Sequence, residues 1–339
     1  MSPRSTTNPG RRSQKRYAPL AVSVFRCCLF VVLGCSSSQP VRDAVHAVEY
    51  DFGIPLDAGW VDVGDVELFV VQAGPRDGPP VLLLHGFPEF WYAWRGPMAW
   101  LADHGYRVIV PDQRGYGKSD KPIGVEPYAV ERLADDMAEL IEVLGHESAF
   151  VAGHDWGGAV AWELALRHPN KIRRLAVIGM PHPKAVREIR EENTSEGGVS
   201  WYVIAFQLPW LPEQAVRMCN WRYLANTLRN SSRPGTFPEA TLDFFRSAWD
   251  SDGAMTAMIN WYRAAYRFPP TDPIDWLVEA PTLVVLAPDD RFMSAAMTRR
   301  SAKWSKAGTL IELDRGTHWV IHEEPEEIGR LLDEFFRKP

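Results

Sequence analysis

From Val66 onward the chain repeatedly gathers apolar residues into short stretches: "VELFVVQAG", "PPVLLLHG", "YRVIVPD", "SAFVAGH", "IRRLAVIGM", "APTLVVLAP" and "GTLIELD". Several are unbroken apolar runs rather than alternations, as strands buried on both faces of a parallel sheet require. Between them the period lengthens. In "ERLADDMAELIEVLG", Leu133, Met137, Leu140, Ile141 and Leu144 fall on one stripe of a helix. Strand and helix signals alternate, so the pattern predicts an α/β fold on a doubly wound, mostly parallel sheet.

One interval breaks the alternation. Between "VIGMPHP" and "APTLVVLAP", roughly ninety residues rich in Trp, Tyr, Arg and Pro carry no buried-strand signal and are too long for an ordinary loop. The expected organisation is a sheet-bearing core over residues 59–182 and 272–339, with an inserted helical cap over 183–271. Residues 36–58 read as a polar, irregular tether.

Residues 1–35 have a different character. A basic stretch to Arg16 precedes "APLAVSVFRCCLFVVLGC", which is apolar apart from Arg26 and ends in small residues, the outline of an export signal. This run is short of the roughly 20 residues that cross a bilayer and carries a charge, which argues against an anchor. Its last four residues, "VLGC", resemble the lipobox of bacterial lipoproteins, in which the cysteine is lipidated. Lipidation of Cys35, with membrane attachment through it, and plain signal cleavage both stay open. Either predicts an exported protein: periplasmic, held in the bacterial cell envelope, or secreted. With Cys27, Cys28 and Cys35 in the signal, Cys219 is expected to stand alone, forming neither an internal disulfide nor part of a metal cluster.

At 339 residues, 46% hydrophobic and 24% charged, the chain can bury a large core. The formal net charge is -6, but residues 1–35 hold six basic residues and no acidic one. That leaves 31 of the 37 basic residues against all 43 acidic ones, a balance of -12, and nucleic-acid binding is not expected.

The chemistry gathers around "VAGHDWGGAV". "SAFVAG" reads as a strand and "GGAVAWELALRH" as a helix, so Asp155 falls on the sharp turn between them, with Gly153 and Gly157 permitting a tight backbone. Taken alone, a buried structural aspartate or a helix N-cap would look the same. A nucleophile on such an elbow needs an acid and then a histidine later in the chain. "PDDRF", after "TLVVLA", offers Asp289 and Asp290; "RGTHW", after "TLIELD", offers His318. All three lie at carboxyl ends of strands, where sites of open α/β sheets form. His154, His168 and His322 read as packing or surface residues. In "LLLHGFPEFWYAW" the strand end frees the backbone N–H of Phe87, which with that of Trp156 would form an oxyanion hole.

Together, "HGFPEFWYAW", "DQRGYGKSDKP", "GHDWGG" and "GTHW" resemble the α/β-hydrolase-fold epoxide hydrolases, the branch with an aspartate nucleophile, from about Gly59 to the end of the chain. The resemblance implies an α/β-hydrolase fold with a cap, no metal or organic cofactor, and a small-molecule epoxide and water as reactants. It also implies two cap tyrosines that hold the epoxide oxygen; "SWYVIAFQ" matches the first at Tyr202 and "NWYRAAYR" the second at Tyr262. His85, Pro88, Trp156, Trp201 and Phe206 are expected against the substrate. The cap aromatics Trp201, Phe206, Trp210 and Trp221 suggest that it is apolar.

Two other readings stay open. Haloalkane dehalogenases share the Asp-Trp pair, but commonly place a halide-binding polar side chain where this chain has Phe87; fluoroacetate-type dehalogenases follow the nucleophile with arginine, where this chain has Trp156. The second is a scaffold that binds a small ligand without turnover. "PDDRF" also departs from the family pattern, with two aspartates where one is expected. Alignment on the strand end favours Asp290, with Asp289 as the fallback.

An epoxide explains why a carboxylate stands on the elbow. It has no carbonyl to attack, and its opening needs a nucleophile at carbon and an acid at oxygen. A carboxylate is ionised at neutral pH without a helper base, and its ester product can be hydrolysed afterwards. Serine would give an ether that water does not readily cleave. Asp155 would attack, Tyr202 and Tyr262 would protonate the departing oxygen, and His318, oriented by Asp290, would activate water.

Overall fold

The computed structural model describes residues 54–192, 198 and 200–338. The expected export signal, Cys35 and most of the tether lie outside the described residues.

Eight strands form one sheet: β1 (Leu56–Asp62), β2 (Glu67–Ala73), β3 (Pro80–Leu84), β4 (Arg107–Pro111), β5 (Ala149–His154), β6 (Ile172–Ile178), β7 (Thr282–Leu286) and β8 (Gly308–Glu312). Their spatial order is β1-β2-β4-β3-β5-β6-β7-β8. β2 runs antiparallel to both β1 and β4, and every other neighbouring pair is parallel. In β3, β4 and β7 every residue is buried, which is why these segments read as continuous apolar runs.

β1 corrects the sequence reading. It starts at Leu56, inside the expected tether, and is held by pairing with β2 from Leu56 opposite Ala73 to Asp62 opposite Glu67. Its residues alternate between partly buried and exposed. An edge strand ordered by its neighbour's backbone has no apolar run to announce it.

Helices α1 (Arg95–Asp103), α2 (Val130–Val143) and α3 (Trp156–Arg167) follow β3, β4 and β5. Along α2, Leu133, Met137, Leu140 and Ile141 are buried, each side chain contributing roughly 1.5–3 kcal/mol by leaving water. Between β6 and β7 the chain leaves the sheet and forms α4 (Pro183–Glu191), α5 (Trp201–Ala205), α6 (Leu211–Ser231), α7 (Glu239–Trp249) and α8 (Ala254–Arg267). α6 is two helical stretches meeting at a kink, where Cys219, Asn220 and Trp221 have positive φ. Cys219 is disulfide-bonded, which overturns the expectation of a lone thiol. α9 (Ala295–Ser301) follows β7, and α10 (Val320–Glu323) and α11 (Pro325–Phe336) follow β8.

β3 is the pivot. β4 lies on one side and β5 on the other, so the loops leaving β3 and β5 diverge to opposite faces and open a crevice between them. Phe87 lies just beyond the end of β3 and Asp155 just beyond the end of β5.

Candidate active site

Asp155 sits at the junction of β5 and α3 with φ 50 and ψ -125, a conformation that side chains other than glycine rarely adopt. Such local strain persists only where its surroundings enforce it. Here two glycines do so. A Cβ on Gly157 would stand 2.1 Å from the carbonyl oxygen of Leu84, and one on Gly86 would stand 2.4 Å from the Asp155 Cβ. The turn is therefore pressed against the exit of β3. Across that contact the Phe87 amide donates to Asp155 Oδ1 at 2.9 Å. Trp156 takes the first position of α3, where a backbone N–H has no acceptor within the helix.

The other Asp155 oxygen faces a histidine. His318 Nε2 lies 3.4 Å from Asp155 Oδ2, and its Nδ1 lies 2.9 Å from Asp290 Oδ2. Asp290 is fixed in turn: its Oδ1 accepts from the amides of Phe292 at 2.8 Å and Met293 at 3.0 Å. Asp289 is exposed, and its amide is used by the Gly316 carbonyl at 3.1 Å. The histidine thus meets Asp290 and not its neighbour. Burial disfavours charge on His318, but Asp290 and Asp155 outweigh it and raise the imidazolium's pKa to about 10. Asp290 moves the other way: burial opposes its charge, and the contact with His318, helped by the two amides, holds its carboxyl below the usual range.

Two cavities meet at Asp155. One, of 760 Å³, runs past Trp156, Met180, Val186 and Met297 to a rim at Arg187 and Arg190. The other, of 320 Å³, is walled by Phe87, Pro88, Trp201, Phe206, Leu224, Leu228 and Trp319 and reaches His318. Both are bordered by Asp155, Tyr202 and Tyr262, so the cap tyrosines and the elbow form the waist between them. The tyrosine rings are 6.1 Å apart at 82°. Burial, and then the Asp155 charge, raise Tyr202 to about 12 and push Tyr262 well above its ordinary value. Both phenols stay protonated at neutral pH. Tyr262 is held by rings on three sides, from Phe87 at 5.2 Å, Trp156 at 5.0 Å and Phe206 at 5.0 Å.

Some expected residues lie elsewhere. His85 borders neither cavity: it is fully buried behind the loop, where its Nδ1 meets the Gly86 carbonyl at 3.2 Å and its Nε2 accepts from the Gln113 amide at 3.1 Å. Burial lowers its pKa to about 4, so it is a neutral brace for the Gly86–Pro88 turn. Among the cap aromatics, Trp201 and Phe206 border the smaller cavity. Trp210 is exposed, and Trp221 is buried against Trp249 at 6.0 Å. His168 pairs at the surface with Asp135.

Sequence reasoning missed a buried polar cluster behind the elbow. His154 Nε2 donates to the His318 carbonyl oxygen, His154 Nδ1 lies 3.3 Å from Glu89 Oε2, and the other Glu89 oxygen bonds His322 Nε2. His322 Nδ1 accepts from Arg95 at 2.9 Å. Burial opposes ionisation of Glu89, yet its histidine neighbours hold its pKa far below the usual range. The available signals were the acid ending "HGFPE" and the four-residue spacing of His318 and His322. Among the described residues, no group of three or more His, Cys, Asp or Glu side chains is placed to hold a metal ion.

Residues 79–325 match the family described as alpha/beta hydrolase fold. The AB hydrolase superfamily protein YfhM of Bacillus subtilis is 38% identical over 82% of this chain and 97% of its own length. Epoxide hydrolase 3 of Xenopus tropicalis is 32% identical over 83% of this chain and 78% of its own. Among solved structures, epoxide hydrolase A from Mycobacterium thermoresistibile superposes with a TM-score of 0.73 at 27% identity, covering 84% of this chain and 98% of that one.

Proposed function

The chain belongs to the α/β-hydrolase family and, within it, to the epoxide hydrolases, and we propose that it converts its epoxide to a vicinal diol through a covalent ester on Asp155. The observation that carries this reading is the division of labour at the Asp155 carboxylate. Oδ1 is held by the Phe87 amide, Oδ2 faces His318, and Asp155 lines both cavities together with the two tyrosines. Oδ2 attacks a ring carbon, the carbon–oxygen bond breaks, and Tyr202 or Tyr262 gives the departing oxygen its proton. Oδ1 stays behind as the ester carbonyl.

Alkylation removes the negative charge from Asp155 and with it part of what keeps His318 protonated. The ring gives up its proton, which restores the tyrosine that lost one in the first step, and then, oriented by Asp290, takes another from a water that attacks the ester carbon. The Phe87 and Trp156 amides stabilise the oxyanion that forms on Oδ1, at roughly 3 kcal/mol per donor. Collapse breaks the bond from the carboxyl carbon to Oδ2, the oxygen supplied by water gives its remaining proton to the departing alkoxide, and the diol leaves with the carboxylate restored and His318 again protonated. The apolar walls on both sides of the waist favour an epoxide with hydrocarbon substituents.

One turnover in ¹⁸O-labelled water, with enzyme in excess, tests the mechanism. Unlabelled diol and label in the peptide containing Asp155 are expected; fully labelled diol would rule out Asp155 as the nucleophile. The export reading rests on the sequence of residues 1–35, and its lipoprotein form has a separate test. Detergent partitioning in a bacterial host should disappear in Cys35→Ser, and a fully aqueous, unmodified wild-type protein would count against lipidation.

A further inference from the structure

The end of α6 touches both segments that carry the charge pair. Trp319 Nε1 donates to Ser231 Oγ at 2.8 Å, and that hydroxyl donates to the Thr227 carbonyl at 2.6 Å. Two residues on, the Arg233 amide donates to Glu323 Oε1 at 2.7 Å. The same carboxylate accepts from the amide and the hydroxyl of Thr317, each at 2.8 Å. Thr317 and Trp319 flank His318. On the acid side Arg291, beside Asp290, reaches the Asn230 carbonyl at 3.4 Å. Meanwhile Thr227 and Leu228, on the last turns of the same helix, border the cavity that His318 and Trp319 border from the other side.

We propose that Ser231 and Glu323 are positioning residues that latch the His318 turn to the cap, so that the cap holds the imidazole in line for the hydrolytic half-reaction. The inference rests on the two-step mechanism above. The turn needs such a hold. Gly316 enters it at φ 121, and the base has to be placed to within about half an ångström to work. Thr317 is gripped at two atoms by Glu323, and Trp319 at its indole by Ser231, so the residue between them has little freedom left. Attack on the epoxide uses Asp155 and the tyrosines and needs no proton transfer by His318. A loosened latch is therefore felt in the second step. A purely structural role would instead lower both steps together, through the folded fraction.

The test uses full-length protein and styrene oxide, with acid quench and intact-mass detection of the ester in single turnovers of wild type, Ser231→Ala, Ser231→Thr, Glu323→Gln and His318→Gln. In Ser231→Ala and Glu323→Gln, ester formation should stay within about twofold of wild type while ester hydrolysis slows about tenfold, the scale of a small misplacement of a catalytic group. The ester then accumulates. Ser231→Thr keeps the hydroxyl and should restore hydrolysis. Unchanged hydrolysis in both variants, or equal losses in both steps, overturns the latch. Should Glu323→Gln fail to fold, Ser231→Ala decides alone. If His318→Gln accumulates no ester, the two-step reading fails and the latch with it; if His318→Gln accumulates ester and the latch variants do not, only the latch falls.

Discussion

His154 donates from Nε2 to the carbonyl oxygen of His318 at 2.7 Å, so the residue just before Asp155 holds the backbone of the residue that faces it. The elbow and the His318 turn are thus one assembly, although 164 positions separate the two histidines. The bond is fully buried, and behind it stands the ionised Glu89. Replacing His154 by Phe should leave the buried His318 carbonyl without its partner. A loss of about 1–3 kcal/mol in denaturant-unfolding free energy is expected. Stability equal to wild type would mean that the bond does not hold the two segments together.

Gly86→Ala places a Cβ where the Asp155 Cβ already stands, 2.4 Å away. The turn after β3 has to retreat, and the Phe87 amide goes with it. Loss of one preorganised donor typically slows such chemistry about a hundredfold or more. The check is the rate of diol formation at saturating substrate, with circular dichroism confirming the fold; activity within a few-fold of wild type would refute the donor's role.

In the proposed mechanism the tyrosines act in the first step. Tyr202→Phe or Tyr262→Phe should slow ester formation by about tenfold to a hundredfold, because one phenol still donates. The double variant should form almost no ester and keep its melting temperature to within a few degrees. Ester formation at the wild-type rate in the double variant would exclude both phenols as acids.

His318 sets a pH dependence with a definite sign. Its pKa rises from 6.5 in the unfolded chain to about 10 in the native protein, because Asp290 and Asp155 overcome the effect of burial. The folded state therefore binds the proton more tightly. The added stability is complete below 6.5 and is lost as the pH climbs through about 10. The melting temperature of wild type should fall across that window, and His318→Gln should fall less. Parallel curves for the two proteins would contradict the charge assignment.

The boundary between what the chain's order determines and what its folding decides follows from distance along the sequence. Buried parallel strands must be apolar on both faces, so β3, β4 and β7 announce themselves as runs. An elbow must be a polar residue between glycines at a strand-to-helix junction, and an acid and a histidine must end later strands, so Asp155, Asp290 or Asp289, and His318 are legible as local patterns. Tyr202 and Tyr262 are legible only through resemblance to a family, since nothing about a tyrosine in a helix says which way it faces. Tertiary structure decides the remainder. It selects Asp290 over Asp289 by where one turn points its two neighbouring carboxylates. It sends His85 behind the loop instead of into the cavity, and it orders β1 through the backbone of β2. It also joins Glu89 to His322 across 233 positions and Arg233 to Glu323 across 90. Single hydrogen bonds between distant segments impose no period and no composition on either one, so such partners become visible only once the chain has folded.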